Sequence, residues 1–261
     1  MNSRTPRIAS LTSDIVSRDP LWDTLMRLQF HLIRASATAG LAVVVGCHSA
    51  PGPLVPAAAA PISSDQVAAW VKATVPTDPR LLRFKWLFRD ERSSAGGRGS
   101  ARIAPPDSLR FDIAGPFGSN PAAAAVVADS AVWVRPEDVI KKLVPNYPLM
   151  WALLGVARQP DSGAVLRGLT QGQMAMWQYA SGADTLEYVR TSESPGKLLA
   201  EVRQAGKVVG RVETQFAADG SPASARLTVP SVPARLDLTF LSSARSAPFA
   251  PSIWQPPPPK P

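Results

Sequence analysis

The chain of 261 residues is 45% apolar, enough for a sizeable core, and its 27 prolines against only 18% charged residues favour turns and strands over long solvated helices. Its formal charge of +8 is dispersed as single Arg and Lys residues, without the clustering a nucleic-acid surface needs. One cysteine, Cys47, and two histidines, His31 and His48, leave everything after position 48 without either type; this excludes internal disulfides, Cys/His metal sites, thiol catalysis and His-based triads there.

From Met26, Arg27 and Arg34 precede an apolar stretch from Ala35 to Gly46, the order of charge and hydrophobicity in a secretory signal. About a dozen apolar residues cannot span a hydrocarbon core that needs roughly 20. Val44-Val45-Gly46-Cys47 resembles the lipobox of bacterial lipoproteins, which implies acylation of Cys47 and removal of residues 1–46, with Met26 as the natural start of the signal. The mature chain would then carry +6, having lost five Arg and three Asp. His48 stands where some bacteria place an aspartate that retains lipoproteins in the inner membrane, so the resemblance implies sorting to the outer membrane. Residues 47–62, rich in Pro and Ala, read as a tether spanning up to roughly 30 Å at about 3.1 Å per residue.

A domain over residues 63–247 follows. Ser63 and Gln66 form a capping box ahead of Val67, Trp70, Val71 and Val75, which predicts a short amphipathic helix that Pro76 stops. Leu82, Phe84, Trp86 and Phe88 alternate with Arg83, Lys85 and Arg89, the period of a half-buried strand. A Ser-Ser-Ala-Gly-Gly turn leads to strands at Arg98–Ile103 and at Leu109–Ala114, where Leu109, Phe111 and Ile113 share one face. After the Gly115–Ser119 turn, a hairpin spans Ala122–Ala128 and Ala131–Arg135. Pro136-Glu137-Asp138 opens a helix to Leu143, and a second apolar helical turn covers Leu149–Leu154. Alternation returns in seven strands between Leu166 and Leu241, giving eleven or twelve in all. Residues 248–261 read as an extended, exposed proline-rich tail.

The expected fold is therefore mainly β (α+β): a large antiparallel sheet with a short N-terminal helix and a helical interlude mid-chain, the sheet either curling tightly on itself or closing only in part. Two or three short helices cover such a sheet thinly. Either it fills its interior with side chains or it leaves a hydrophobic cavity, for which Phe84, Trp86, Phe88, Leu109, Phe111, Ile113, Trp133, Trp151 and Trp177 are the candidate lining. Asp90-Glu91 and Glu137-Asp138 are the only adjacent acids suited to carboxylate catalysis, but strand neighbours face opposite ways and acids opening a helix serve its dipole. No enzyme, cofactor or metal is expected.

The order of lipobox, helix, strands, lid helices and further strands resembles the outer-membrane lipoprotein receptor LolB and its relatives, including the soluble carrier LolA. The most specific local likeness is the strand Leu109–Ala114 running into Gly115-Pro116-Phe117-Gly118-Ser119, followed by Glu137-Asp138-Val139-Ile140 and Met150-Trp151-Ala152-Leu153-Leu154-Gly155 in the lid. The resemblance implies a sheet curled into an unclosed half-barrel with a helical lid inserted mid-chain, a hollow that takes lipoprotein acyl chains or lipids, and Phe117 on a membrane-delivery loop. It implies anchoring by N-terminal acyl chains at the periplasmic face of the outer membrane, receipt of cargo from a LolA-like carrier, and no nucleic-acid partner. The alternative from the same strands is a structural or adaptor envelope lipoprotein without lipid cargo.

Overall fold

The structure, a computed structural model, describes residues 52–256. The signal segment, Cys47 with His48, and residues 257–261 lie outside the described residues. The chain opens with β1 (Ala60–Pro61) and α1 (Ser64–Lys72), then β2 (Arg80–Arg89), β3 (Ser94–Ala104), β4 (Ser108–Ala114), β5 (Ala122–Val127) and β6 (Ser130–Arg135). Two helices follow, α2 (Glu137–Leu143) and α3 (Tyr147–Leu153). The remaining strands are β7 (Val165–Gln171), β8 (Met174–Ser181), β9 (Asp184–Thr191), β10 (Lys197–Gln204), β11 (Lys207–Phe216), β12 (Pro222–Val229) and β13 (Ala234–Arg245).

All thirteen strands belong to one antiparallel sheet in the order β1-β7-β8-β9-β10-β11-β12-β13-β2-β3-β4-β5-β6. Its end strands β1 and β6 do not pair with each other, so the sheet is a half-barrel and not a closed barrel. Because directions alternate, the turns after β2, β4, β8, β10 and β12 share one end, here called the upper rim. The alternating apolar residues face the concave side: Leu82, Phe84, Trp86 and Phe88 on β2, Leu109, Phe111 and Ile113 on β4, and Leu198, Ala200 and Val202 on β10 are all buried. Ser63 caps α1, its Oγ accepting the Gln66 amide at 3.2 Å, and Val67 and Val71 turn the helix stripe into this core.

Strand β3 starts four residues before its expected beginning, through the Ser-Ala-Gly-Gly sequence that reads as a turn. The glycines are there because large neighbours lie on the strand. A Cβ on Gly99 would come within 2.4 Å of the Phe84 ring, and one on Gly97 within 1.9 Å of the Ala114 carbonyl. Glycine in a strand thus marks close approach and not chain reversal.

Both flanking segments depart from the free, extended chain expected of them. From Leu54 the tether is docked: Val55 and Ala59 are buried on the convex side against Met176 and Val189, and Ala60–Pro61 pair with Gly168 and Arg167 of β7. Two buried carboxylates hold this strap. Glu187 accepts the Leu54 amide at 2.6 Å and the Val55 amide at 3.4 Å, while Arg211 bridges Glu201 and the Gly52 carbonyl. Burial raises the Glu187 carboxyl above its ordinary range against the opposing pull of those amides. At the other terminus, Pro251–Trp254 forms a 3-10 turn on the convex side, its Ile253 and Trp254 carbonyls accepting Arg110 (2.7 Å) and the Trp133 indole (2.8 Å).

Candidate functional site at the mouth of the half-barrel

Helix α3 decides what the hollow can hold. Leu149, Met150, Trp151, Ala152 and Leu153 are all fully buried, and the chain stays buried through Arg158. A helix apolar on every side belongs inside a core. The helix is latched through its backbone and through a side chain: Thr214 Oγ1 donates to the Ala152 carbonyl at 2.6 Å, and the Trp151 indole donates to the Ala128 carbonyl at 2.9 Å. Beyond α3 the Arg158 guanidinium lies 4.8 Å from the Trp151 ring centroid and 3.1 Å from Asp129 Oδ1. The Arg158 amide donates to the Tyr188 hydroxyl, and the Tyr179 hydroxyl donates to the Arg158 carbonyl. Burial pushes Asp129 and both tyrosines up from their ordinary values. The tyrosines stay neutral and serve as hydrogen-bond partners.

This packing corrects the expected cavity lining. Phe84, Trp86, Phe88, Leu109, Phe111, Ile113, Trp151 and Trp177 do face the interior, but they contact one another and α3: Phe84 and Phe111 stack at 5.3 Å, and Trp177 and Tyr188 at 5.2 Å. They form core. Trp133 is on the other side of the sheet, since it shares a face of β6 with Arg135 and opposes Ala125, an outward position on β5.

Space remains beneath α2 and the start of α3, between the turns after β5 and β8. It is a cavity of about 380 Å³, walled by Ile140, Val144, Tyr147, Tyr179, Leu186 and Val202, with the charged Asp129, Lys141, Asp161 and Asp184 also bordering it. Two buried oxygens among its lining residues, Asn146 Oδ1 and Thr185 Oγ1, have no hydrogen-bond partner, so a guest with an apolar body and one polar linkage matches the wall. Sequence reasoning missed these residues, because they come from loops and strand ends whose convergence only the topology sets. Helix α2, the roof, is held to the rim by Lys142, which pairs with Asp90 at 2.9 Å and sits 5.3 Å from the Phe88 ring centroid. That pairing, with turn amides and the hydroxyl of Ser93, holds the Asp90 carboxyl well below its usual range. Glu137 pairs with Lys141 one turn on. Asp90 and Glu137 thus both have ion-pair partners within the fold.

Phe117 stands in the turn after β4. Its side chain is fully exposed and its φ is +55°, a left-handed conformation that is costly for a bulky residue. It does not fold back onto the core.

An open antiparallel half-barrel with its lid chain inside the hollow defines the architectural class. More particularly, the fold is shared with solved structures at very low sequence identity. A domain from Vibrio parahaemolyticus named for outer membrane lipoprotein sorting superposes with a TM-score of 0.53 at 8% identity, over 74% of this chain and 97% of that one. A LolA superfamily protein from Nitrosomonas europaea gives 0.38 at 10% identity, covering 75% and 98%, and a DUF1329 family protein from Desulfovibrio piger gives 0.47 at 7%, covering 74% and 95%. No protein-family model matches the sequence. No curated protein matches it either.

Proposed function

We propose that this protein is a lipid-anchored protein of the bacterial envelope that binds acyl chains at the mouth cavity and helps deliver lipoproteins or lipids to the periplasmic face of the outer membrane. The observation that carries this reading is the cavity beneath α2, with an apolar wall and two orphan oxygens; the exposed Phe117 in the turn after β4 adds to it. The cavity suits the first part of one chain and its linkage. Deeper entry requires α3 to leave the hollow, and α3 would then be the internal stand-in for the cargo. Each methylene buried is worth about 0.8 kcal/mol, which gives a long chain the means to compete with α3. Cys47 would carry the anchor, Phe117 would enter the bilayer surface, and a soluble LolA-like carrier would supply cargo. No covalent step is assigned to any residue.

The filled interior supports a second reading, an adaptor lipoprotein of the same fold without lipid cargo. Native mass spectrometry of detergent-free protein separates the two. Retained acyl mass that disappears in Val202→Trp, which fills the mouth, supports the carrier. No retained mass and no uptake of a fluorescent fatty acid leaves the adaptor.

A further inference from the structure

The larger cavity of the described residues is not in the hollow but on the convex side, a trough of about 1030 Å³ across β13 and β2–β6. Its origin is a cross-strand row read directly from the register: Arg83, Ser100, Asp112, Ala123 and Arg135 lie side by side on five strands. At about 4.8 Å per strand the row is about 19 Å long. Small side chains on either side of the central Asp112, Ser100 and Ala123 with Ala114 beside them, leave the floor low there. Tall ones raise the ends. On one side a β-bulge between Phe240 and Ser242 puts Leu241 outward, 53% exposed, next to Arg83. On the other side stands Trp133, its orientation fixed by the indole bond to the Trp254 carbonyl and by Arg110 at 5.3 Å from its ring centroid.

Charge distinguishes this trough from an ordinary solvated face. Asp112, its one acid, is already taken by Arg102 (2.7 Å) and Arg110 (2.9 Å). Arg83 and Arg98 line the trough with no acid partner among the described residues. Cations beside exposed Leu241 and a pinned indole complement a guest that is negative at one end and apolar along its length. A free inorganic anion would leave most of the volume and the apolar walls unused.

We infer that this trough binds an anionic amphiphile, its head on Arg83 and Arg98 and its alkyl body across Ser100 and Ala123 towards Trp133. The site is separate from the mouth cavity and does not depend on the carrier reading.

The test titrates the full chain, purified without detergent, with dodecyl phosphate below its micelle concentration, by calorimetry. Arg83→Glu with Arg98→Glu, both at exposed positions, should weaken binding at least about tenfold, a change well above the resolution of the method. Ala123→Trp, which fills the floor, should do the same, and both effects should persist in a Val202→Trp background, which removes any binding of the probe at the mouth. Dodecylphosphocholine, with the same chain and no net charge, should bind at least about tenfold more weakly than dodecyl phosphate. Inorganic phosphate competing at equal concentration would overturn the inference, because it would reduce the site to an anion patch. So would unchanged affinity in both trough variants. Vesicles of phosphatidylcholine with and without phosphatidylglycerol identify the source: capture only by the anionic vesicles, lost in the Arg variants, supports a membrane lipid, and binding of the monomer alone supports a free amphiphile.

Discussion

The two halves of the sheet follow the same alternation and use their outward faces in opposite ways. Along β8–β11 the convex side is covered: the Leu54–Ala59 strap lies on Met176 and Val189, and the outward acids Glu187 and Glu201 are buried beneath it. Along β2–β6 the only segment of the described residues on the convex side is the turn at Pro251–Trp254, and arginines border a trough there. Inside, the first half is packed by α1 and α3, whereas the second half packs its own aromatics over glycines. Period two specifies which residues face outward. What covers them is set by segments far away in sequence.

The sharpest way to break this contrast is to empty the packed side. Trp151→Ala removes the largest plug residue and should cost about 3–5 kcal/mol in urea or thermal unfolding, with acyl uptake rising if the vacated space is open to guests. Gly99→Val tests the other half. Its Cβ meets the Phe84 ring at 2.4 Å, and a loss of about 1–3 kcal/mol is expected, whereas Gly52, with open space around its Cβ, should accept alanine freely.

The strap can be tested through its acid. Glu187→Ala leaves the Leu54 and Val55 amides without their acceptor and should cost about 1–3 kcal/mol, with faster proteolysis before residue 60. Glu187→Gln keeps a carbonyl oxygen for those amides and should cost less. The wild-type carboxyl is raised in the folded state, so the folded chain holds its proton more tightly than the unfolded chain. Its contribution to stability therefore falls as pH rises from the ordinary carboxyl range through the raised folded value, and the Gln variant should lack that fall in unfolding measured across pH. The smallest effect is expected at Phe117. Phe117→Gly relieves the left-handed backbone but loosens the unfolded chain, for a net change under about 1 kcal/mol, while binding to lipid vesicles should drop.

Much of this was legible along the chain. The alternation in β2, β4 and β10–β13, the cap on α1 and the exposed aromatic turn at Phe117 are local properties, and local patterns carry them. The face of Trp133 was legible too, since Arg135 two residues on marks that side as outward. Filling of the hollow was not, because alternation gives which side is apolar and not how much volume stands between opposite walls. The hint was in α3, where Leu149–Leu154 offers no polar face. The strap gives no pattern of its own: Leu54-Val55-Pro56-Ala57-Ala58-Ala59 resembles a linker until Glu187, over 130 residues away, is brought beneath it.

That strap changes the reach of any anchor at Cys47. Only six residues separate the cysteine from Leu54, about 20 Å of extended chain at ~3.1 Å per residue. The strap fixes the point of departure: whatever precedes Leu54 leaves the domain along the flank built from β8–β11, and the pull of any tether would be borne by Glu187 and the β1–β7 pairing before it reached the core.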